Sequence, residues 1–415
     1  MQRIAFLRSV DIRRADPHLH GIAPALAALG AEARLFHTHG DAGPDLFPGT
    51  SEKLHPGATP DEFVDRVRAW GADAAVAISL PDENALRDAV VKTKLEALGI
   101  RTVMTPLAAT RVLCDKWETK RVLESYGIPT PPAVLLDSDL LNDRTLPVPA
   151  YPDAVRLAAR DLGYPLLAKP LWDSTSMGIA YLPDPAALDR HLAARPQAHA
   201  VLEKCLSGRL CSVDIVGADG HYTVMPLIWT GTAGGPPAFT FEDLRHADPT
   251  RDDDFAPTAR RLVELCAGLG VEGSVNVDMI HADGVYHVLE INPRIGGATT
   301  LSIAAGGPNT FVALLDILTG AWPTRAPAVA RAERFAIECL TANPTPALLA
   351  ELRARIDLVT CHDLVIDGHD HGGILTFTVD PGDERRTMKE LTALNGFVPA
   401  PMLDKIRRLL LPTAR

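Results

Sequence analysis

The pattern that most restricts the fold of this chain is an alternation of apolar strand-like runs and glycine-ended helical segments through its first hundred residues. Arg3 to Leu7 is an apolar run; the helical stretch GIAPALAALG stops at Gly30, and ARLFH follows. The order then returns: a helical pattern from Asp61 to Trp70, Gly71, AAVAIS, a long helical segment to Leu98, Gly99 and RTVMT. Glycine just past a helical pattern is a stop signal. Strands alternating with helices predict a parallel, doubly wound α/β sheet. No G-x-G-x-x-G follows the first strand, so the pattern lacks a dinucleotide fingerprint.

From Cys114 the pattern changes. DKWETKRVLESYG predicts a helix closed by Gly127, after which Pro129, Pro131 and Pro132 keep the chain extended. LPVPAYPD (Leu146 to Asp153) reads as a surface connection. A helix to Leu162, the strand YPLLAKP, the polar loop WDSTSMG, the short strand IAYL, the helix DPAALDRHLAA and the strand HAVLEKCL come next. Two hairpins follow, one around Asp219-Gly220 and one around Asp283-Gly284. A Pro-rich break between Trp322 and Pro327 precedes a last α+β piece with strands around LVTCHDLVI and GGILTFTV. The expected division is 1–112, 113–328 (in two subdomains, 113–200 and 201–328) and 329–415, within the two to three domains usual for 415 residues.

Composition excludes several classes. With 47% hydrophobic and 22% charged residues the chain is globular. A net charge of −11 argues against a general nucleic-acid or anionic-membrane binder. The opening MQRIAFLRSVDIRR has too short an apolar run for a secretory leader, and no run approaches the roughly 20 residues of a membrane span. Six cysteines (Cys114, Cys205, Cys211, Cys266, Cys339, Cys361) form no C-x-x-C pair. The expectation is a soluble, reduced, cytoplasmic protein acting on small molecules, with a homodimer left open. Only nine of the 41 basic residues are lysine, so each lysine is a better candidate for a site that needs a compact charge.

The second hairpin carries the chemistry. In VLEINPR, period-two alternation puts Leu289 and Ile291 on one face and Glu290 and Asn292 on the other. Glutamate and asparagine together supply hard oxygen ligands that suit Mg²⁺. Asp278 on the preceding strand joins them in one register only. A three-residue loop, Ala282 to Gly284, would pair His281 with Val285 and Asp278 with Val288, on the face of Glu290. A two-residue Asp-Gly turn would send Asp278 to the other face. The expectation is the longer loop.

These segments stand in an order that resembles the ATP-grasp superfamily over about Cys114 to Ala305. DKWETK, with Lys116, resembles the first phosphate-contacting lysine segment. LLAKP, with Lys169, resembles the second, and WDSTSMG, with Ser174, Thr175, Ser176 and Gly178, the loop that closes over the β- and γ-phosphates. VLEKCLSG resembles the hinge that holds adenine, with Glu203, Lys204 and the backbone near Cys205 and Leu206 around the base. Asp278, Glu290 and Asn292 match the metal ligands, and Arg294 with Gly296 and Gly297 the segment that meets the substrate and the transferred phosphate. The resemblance implies an ATP-grasp fold between a doubly wound N-terminal domain and a small C-terminal α+β domain. It implies ATP as the nucleotide and Mg²⁺ as the metal, two ions, with Mn²⁺ as a substitute. Four of the nine lysines (Lys116, Lys120, Lys169, Lys204) fall in these segments.

Two departures accompany the match. After the hinge glycine, Gly208, come Arg209 and Leu210 where an acid often binds the ribose, so that contact is either missing or supplied elsewhere, with Asp214 a candidate. In FTFEDLRH, Leu244 stands where D-alanine–D-alanine ligases carry a lysine, with Arg245 and His246 next. Those ligases also carry an H-G…G-E-D-G segment that this N-terminal domain lacks. EINPRIGG lacks the Q-V-E-H continuation of biotin carboxylases, and Arg-x-Gly-Gly is nearest to amino-acid and peptide ligases. The implied reaction joins a carboxylate to an amine through an acyl phosphate, with Arg294 and Lys169 as catalytic residues. An acyl-phosphate-forming or kinase-like enzyme with a non-amine acceptor is the alternative, and a non-catalytic ATP-binding regulator a further one. His362, His369 and His371 read as a polar loop, since no ligand spacing accompanies them.

Overall fold

The computed structural model describes residues 2–9, 16–40, 47–80, 82–172, 178–235, 239–250, 254–322, 328–366, 369–394 and 396–412. Its first layer is the expected parallel sheet. Five strands lie in the order Thr50–Lys53, Glu32–His37, Arg3–Arg8, Ala74–Ala77, Arg101–Val103, every neighbouring pair parallel. The helix Pro60–Ala69 starts where sequence chemistry directs it. Thr59 accepts from the Glu62 amide and the Glu62 carboxylate accepts from the Thr59 amide, a reciprocal cap.

A four-stranded antiparallel sheet follows, ordered Ala133–Leu136, Ala200–Lys204, Leu166–Pro170, Ala180–Leu182. The helix Tyr151–Leu162 packs on it through Val155 and Ala159. That helix takes in the last three residues of the expected surface connection, because Pro152 sits in its first turn, where a missing N–H costs nothing. Leu146, 66% exposed, keeps the rest on the surface.

The largest sheet runs Val285–Asn292, Gly273–Ala282, Gly208–Ala218, Ile228–Ala233, Phe239–Ala247, Phe335–Thr341, His369–Val379, Asp357–Ile366. The last three strands belong to the C-terminal segment, so 329–415 extends this sheet through the pairing of Leu244–Ala247 with Ala336–Cys339. The helices Glu384–Ala393 and Ala400–Leu410 cover an apolar core that these strands share with Leu244. The helix Thr310–Thr319 turns back: Phe311, Leu314, Leu315 and Leu318 join Ile4, Phe6, Leu35 and Val76 in the core of the N-terminal sheet.

Both expected hairpins form, with turns at Asp219-Gly220 and Asp283-Gly284. All four residues have positive φ (50°, 81°, 49° and 78°), the turn that matches strand twist. The second turn therefore has two residues, Ala282 facing Val285, and the expected three-residue loop is wrong. Asp278 nevertheless stands directly opposite Glu290. The register shifts between Met279↔Val288 and Asp278↔Glu290, leaving Leu289 as one extra residue. This β-bulge does what the longer loop was expected to do: one inserted residue returns Asp278 to the face of Glu290.

Candidate active site

Lys116 begins the helix Lys116–Ser125, capped by Asp115, whose Oδ1 accepts from the Trp117 and Glu118 amides. Its amide donates to the Leu171 carbonyl at 3.1 Å, fastening the helix start to the end of the strand that carries Lys169. The Lys116 ammonium lies 3.2 Å from Glu290 Oε2. Helix start, small sheet and second hairpin thus meet at one cleft.

Lys169 and Glu203 share a face of the small sheet, since Leu167 pairs with Glu203 across the strands. Glu203, expected at the base, is instead 1% exposed between two ammoniums: Lys169 at 2.5 Å and Lys120 at 2.6 Å. Lys120 also donates to Thr130 Oγ1 and to the Pro131 carbonyl at 2.8 and 2.9 Å. Burial pushes the Glu203 carboxyl up, but Lys169 and Lys120 overcome that and hold it below its ordinary value. Burial pushes the Lys120 ammonium down, with Glu203 opposing. The sequence places Lys120 only in its segment; its role as the second arm of this buried pair depends on a contact between helix and strand that sequence spacing does not show.

Lys204 points to the other face, where its ammonium caps the carbonyls of Gly163 and Tyr164, both at 2.9 Å. Only its backbone can face the cleft. Cys205 is buried, and its amide donates to the Pro165 carbonyl. Cys205 and Leu167 form a small apolar bed with Ile179 and Tyr181, and Leu206 is half-buried beside it. Gly178, at φ 90°, lies against the Pro170 ring. Ser174, Thr175 and Ser176 lie outside the described residues.

The oxygen set is preorganised. Asn292, 3% exposed, donates through Nδ2 to Asp278 Oδ2 at 3.1 Å, which leaves the amide oxygen as the group it can offer an ion. Behind it Asn276 donates to Ser212 Oγ (2.7 Å) and Asp214 Oδ1 (2.8 Å). The Glu290 side chain is 33% exposed and opens to the cleft. Burial pushes its carboxyl up, yet Lys116 first, then Lys169 and Arg294, bring it below its usual value, so it is an anion ready to bind a cation. Two carboxylates and an amide are a hard donor set that fits Mg²⁺.

Asp214, the candidate for a ribose contact, is not at the hinge. It is 1% exposed, accepts from Thr299 Oγ1 and Asn276, and supports the loop after Arg294. A side chain at Gly296 would meet Asn276 Nδ2 at 2.4 Å and Asp214 Oδ1 at 2.6 Å, so only glycine allows this close approach. Gly297 is exposed, with Arg245 Nη1 3.9 Å from where its Cβ would stand. Arg294, half-buried, donates to the Ile295 carbonyl.

Of the two residues after Leu244, Arg245 is the one beside this loop, ion-paired with Glu338 at 3.5 Å. His246 is 8% exposed and burial pushes its imidazole down to about 4, against the pull of Asp248. The folded chain therefore holds it neutral over the interval, about 6.5 to about 4, in which the unfolded chain takes up a proton. Its contribution to stability is present above 6.5 and lost as pH falls towards 4. Replacing His246 by phenylalanine is expected to flatten the acid slope between those values. Denaturant unfolding at pH 7 and 4.5 reads this, and an unchanged slope would contradict it.

Outside the cleft, Asp137, Asp139 and His199 bring ligand atoms within 4.8 Å of one another. His362 contacts the Asp363 carbonyl at 2.9 Å through Nδ1. No helix among the described residues is long and apolar enough to cross a membrane.

Residues 113–298 match the family described as ATP-grasp domain. A D-alanine–D-alanine ligase of Azoarcus sp. (strain BH72) is 29% identical over 254 residues, covering 56% of this chain and 76% of that protein. Among solved structures, an L-amino acid ligase from Bacillus licheniformis superposes with a TM-score of 0.66 at 15% identity, over 94% of this chain and 97% of that one. The biotin carboxylase domain of Hydrogenobacter thermophilus 2-oxoglutarate carboxylase, solved with MgADP, gives 0.67 at 14% identity over 98% and 99%. At these identities the structures speak for the fold.

Proposed function

We propose that this chain, whose residues 113–298 match the ATP-grasp domain, joins the carboxylate of one amino-acid-like small molecule to the amine of another, converting ATP to ADP and phosphate. The observation that supports this best is the convergence of Asp278, Glu290 and Asn292 with Lys116, Lys169 and Arg294 around one opening. Phosphoryl transfer asks a protein for positioning and charge neutralisation, which such a set provides.

In this reading the apolar bed of Leu167, Cys205, Ile179 and Tyr181, with the backbone at Cys205 and Leu206, takes the purine. Glu203 acts through Lys169, holding it towards the phosphates, and Lys116 adds a second point charge. Ser174, Thr175, Ser176 and Gly178 are assigned to the β- and γ-phosphates. Asp278, Glu290 and Asn292 would hold Mg²⁺, two ions or Mn²⁺ in their place, which neutralises phosphate oxygens. The substrate carboxylate attacks the γ-phosphorus, ADP leaves, and an acyl phosphate forms. The amine then attacks the acyl carbon and phosphate departs, with the amine proton passing to solvent or phosphate. Arg294, beside Gly296 and Gly297, stabilises the acyl phosphate and the tetrahedral intermediate, because a planar guanidinium meets two oxygens at once.

The test is ADP and phosphate release with Mg·ATP across a matrix of amino acids, small carboxylates and amines, with mass detection. Release that needs one acid and one amine, with a dehydrated conjugate, is expected; release with an acid alone would favour the acyl-phosphate alternative. Arg294→Ala is expected to abolish ligation while ATP still binds, and full turnover by that variant would remove Arg294 from its role.

A further inference from the structure

A small cavity lies outside the carboxyl ends of the strands Ala74–Ala77 and Arg101–Val103, where ligands enter open parallel sheets. Ser79, Asp88, Thr105, Glu272, Ser274 and Arg294 supply its polar walls, so four segments of the chain meet there. Its volume of about 20 Å³ leaves room for one water-sized group.

The walls carry unmet hydrogen-bonding capacity. Asp88, on the helix Asp82–Glu96, is 2% exposed. Its Oδ1 accepts from Arg87 Nε at 2.9 Å and Nη2 at 2.7 Å, while Oδ2 is buried with no partner among the described residues. Thr105 Oγ1 and Ser274 Oγ are likewise buried without partners. Buried polar atoms in folded proteins are almost always satisfied by protein or water, so three orphans on residues lining one cavity mark a place for a small polar group. Burial pushes the Asp88 carboxyl up, against the pull of Arg87 and of a hydrogen bond from the Ser79 hydroxyl, a cost that a cation at Oδ2 would relieve further. A primary ammonium is water-sized, positive, and has three N–H donors for three oxygens. Arg294 lines the same cavity and offers a guanidinium to a carboxylate.

We propose that this cavity receives the free α-ammonium of the amino acid whose carboxylate is activated, held by Asp88 Oδ2, Ser274 Oγ and Thr105 Oγ1. The assignment rests on the ligase reading for the word "activated", but the pocket itself does not. It makes Asp88 a specificity-determining residue: an N-acylated amino acid is too large, and a des-amino acid leaves the three oxygens unmet.

The experiment has two arms. In turnover, each amino acid that supports ADP release is compared with its N-acetyl and des-amino forms (propionate for alanine). Free amino acids alone should serve as donors. Asp88→Asn should raise the donor KM roughly 10- to 100-fold with the KM for ATP unchanged, the range for losing a hydrogen bond to a charged group. Because Asp88 also holds Arg87, Ser274→Ala, which removes a hydroxyl without a protein partner, gives an independent variant that should raise the donor KM several-fold. In binding, the same compounds are titrated calorimetrically into the full chain. Selective binding of free amino acids that Asp88→Asn abolishes, with no turnover for any acid, would overturn the ligase reading and uphold the pocket. Equal use of N-acetyl or des-amino donors, or unchanged donor KM in both variants, would overturn the pocket and leave the ligase reading intact.

Discussion

Replacing Glu290 by alanine is expected to lower turnover by about 10²- to 10³-fold, the scale seen when a preorganised group at a reacting centre is removed. The reason lies in what faces this carboxylate. Lys116 is 3.2 Å away, and Lys169 and Arg294 are near enough to hold it ionised despite burial. Without it, the cleft loses one of its two carboxylates for a divalent cation and three cationic side chains lose their shared counter-charge. Glu290→Gln keeps the shape and one oxygen but not the charge, so it should recover little. The fold should survive, since the side chain is one-third exposed and sits at the mouth of the cleft. Steady-state ADP release under saturating Mg·ATP, with thermal unfolding as control, is the measurement. Unchanged turnover would remove Glu290 from the metal set.

Glu203→Ala is expected to act on stability, besides releasing Lys169 from its position. It would leave Lys120 and Lys169, 3% and 5% exposed, without the carboxylate that compensates both. Breaking a buried ion pair from one side costs about 3–5 kcal/mol, because the remaining charge stays buried. The loss should appear as a lower denaturant midpoint at an unchanged slope. Adding Lys120→Met should recover part of it, since one stranded charge is then gone and the two sites are in contact. A double variant no more stable than Glu203→Ala alone would contradict the pairing.

These two residues also show where sequence reading reaches and where it stops. Glu290 and Asn292 follow from period-two alternation, which is local, and their face was legible. Asp278 depended on register. The turn at Asp283-Gly284 is the tight one, and the bulge at Leu289 that restores Asp278 has no signature in VLEIN. For Glu203 the segment was legible but not the direction of the side chain, which is set by Lys120 from a helix more than eighty residues earlier. Lys204, one residue on, faces the opposite way by the same alternation that governs any strand. The parallel sheet at the N-terminus was legible because helix and strand periods alternate there. That the C-terminal strands extend the large sheet was not, because the pairing of Leu244–Ala247 with Ala336–Cys339 spans some ninety residues of chain.

The most direct test of the central claim follows an oxygen atom. If the carboxylate attacks the γ-phosphorus and the amine later displaces phosphate, a substrate acid labelled with ¹⁸O in its carboxylate should deliver one labelled oxygen to inorganic phosphate in each turnover. Mass analysis of the released phosphate reads this. Labelled phosphate in step with conjugate formation is the expected result; unlabelled phosphate from a turning-over enzyme would contradict activation through an acyl phosphate.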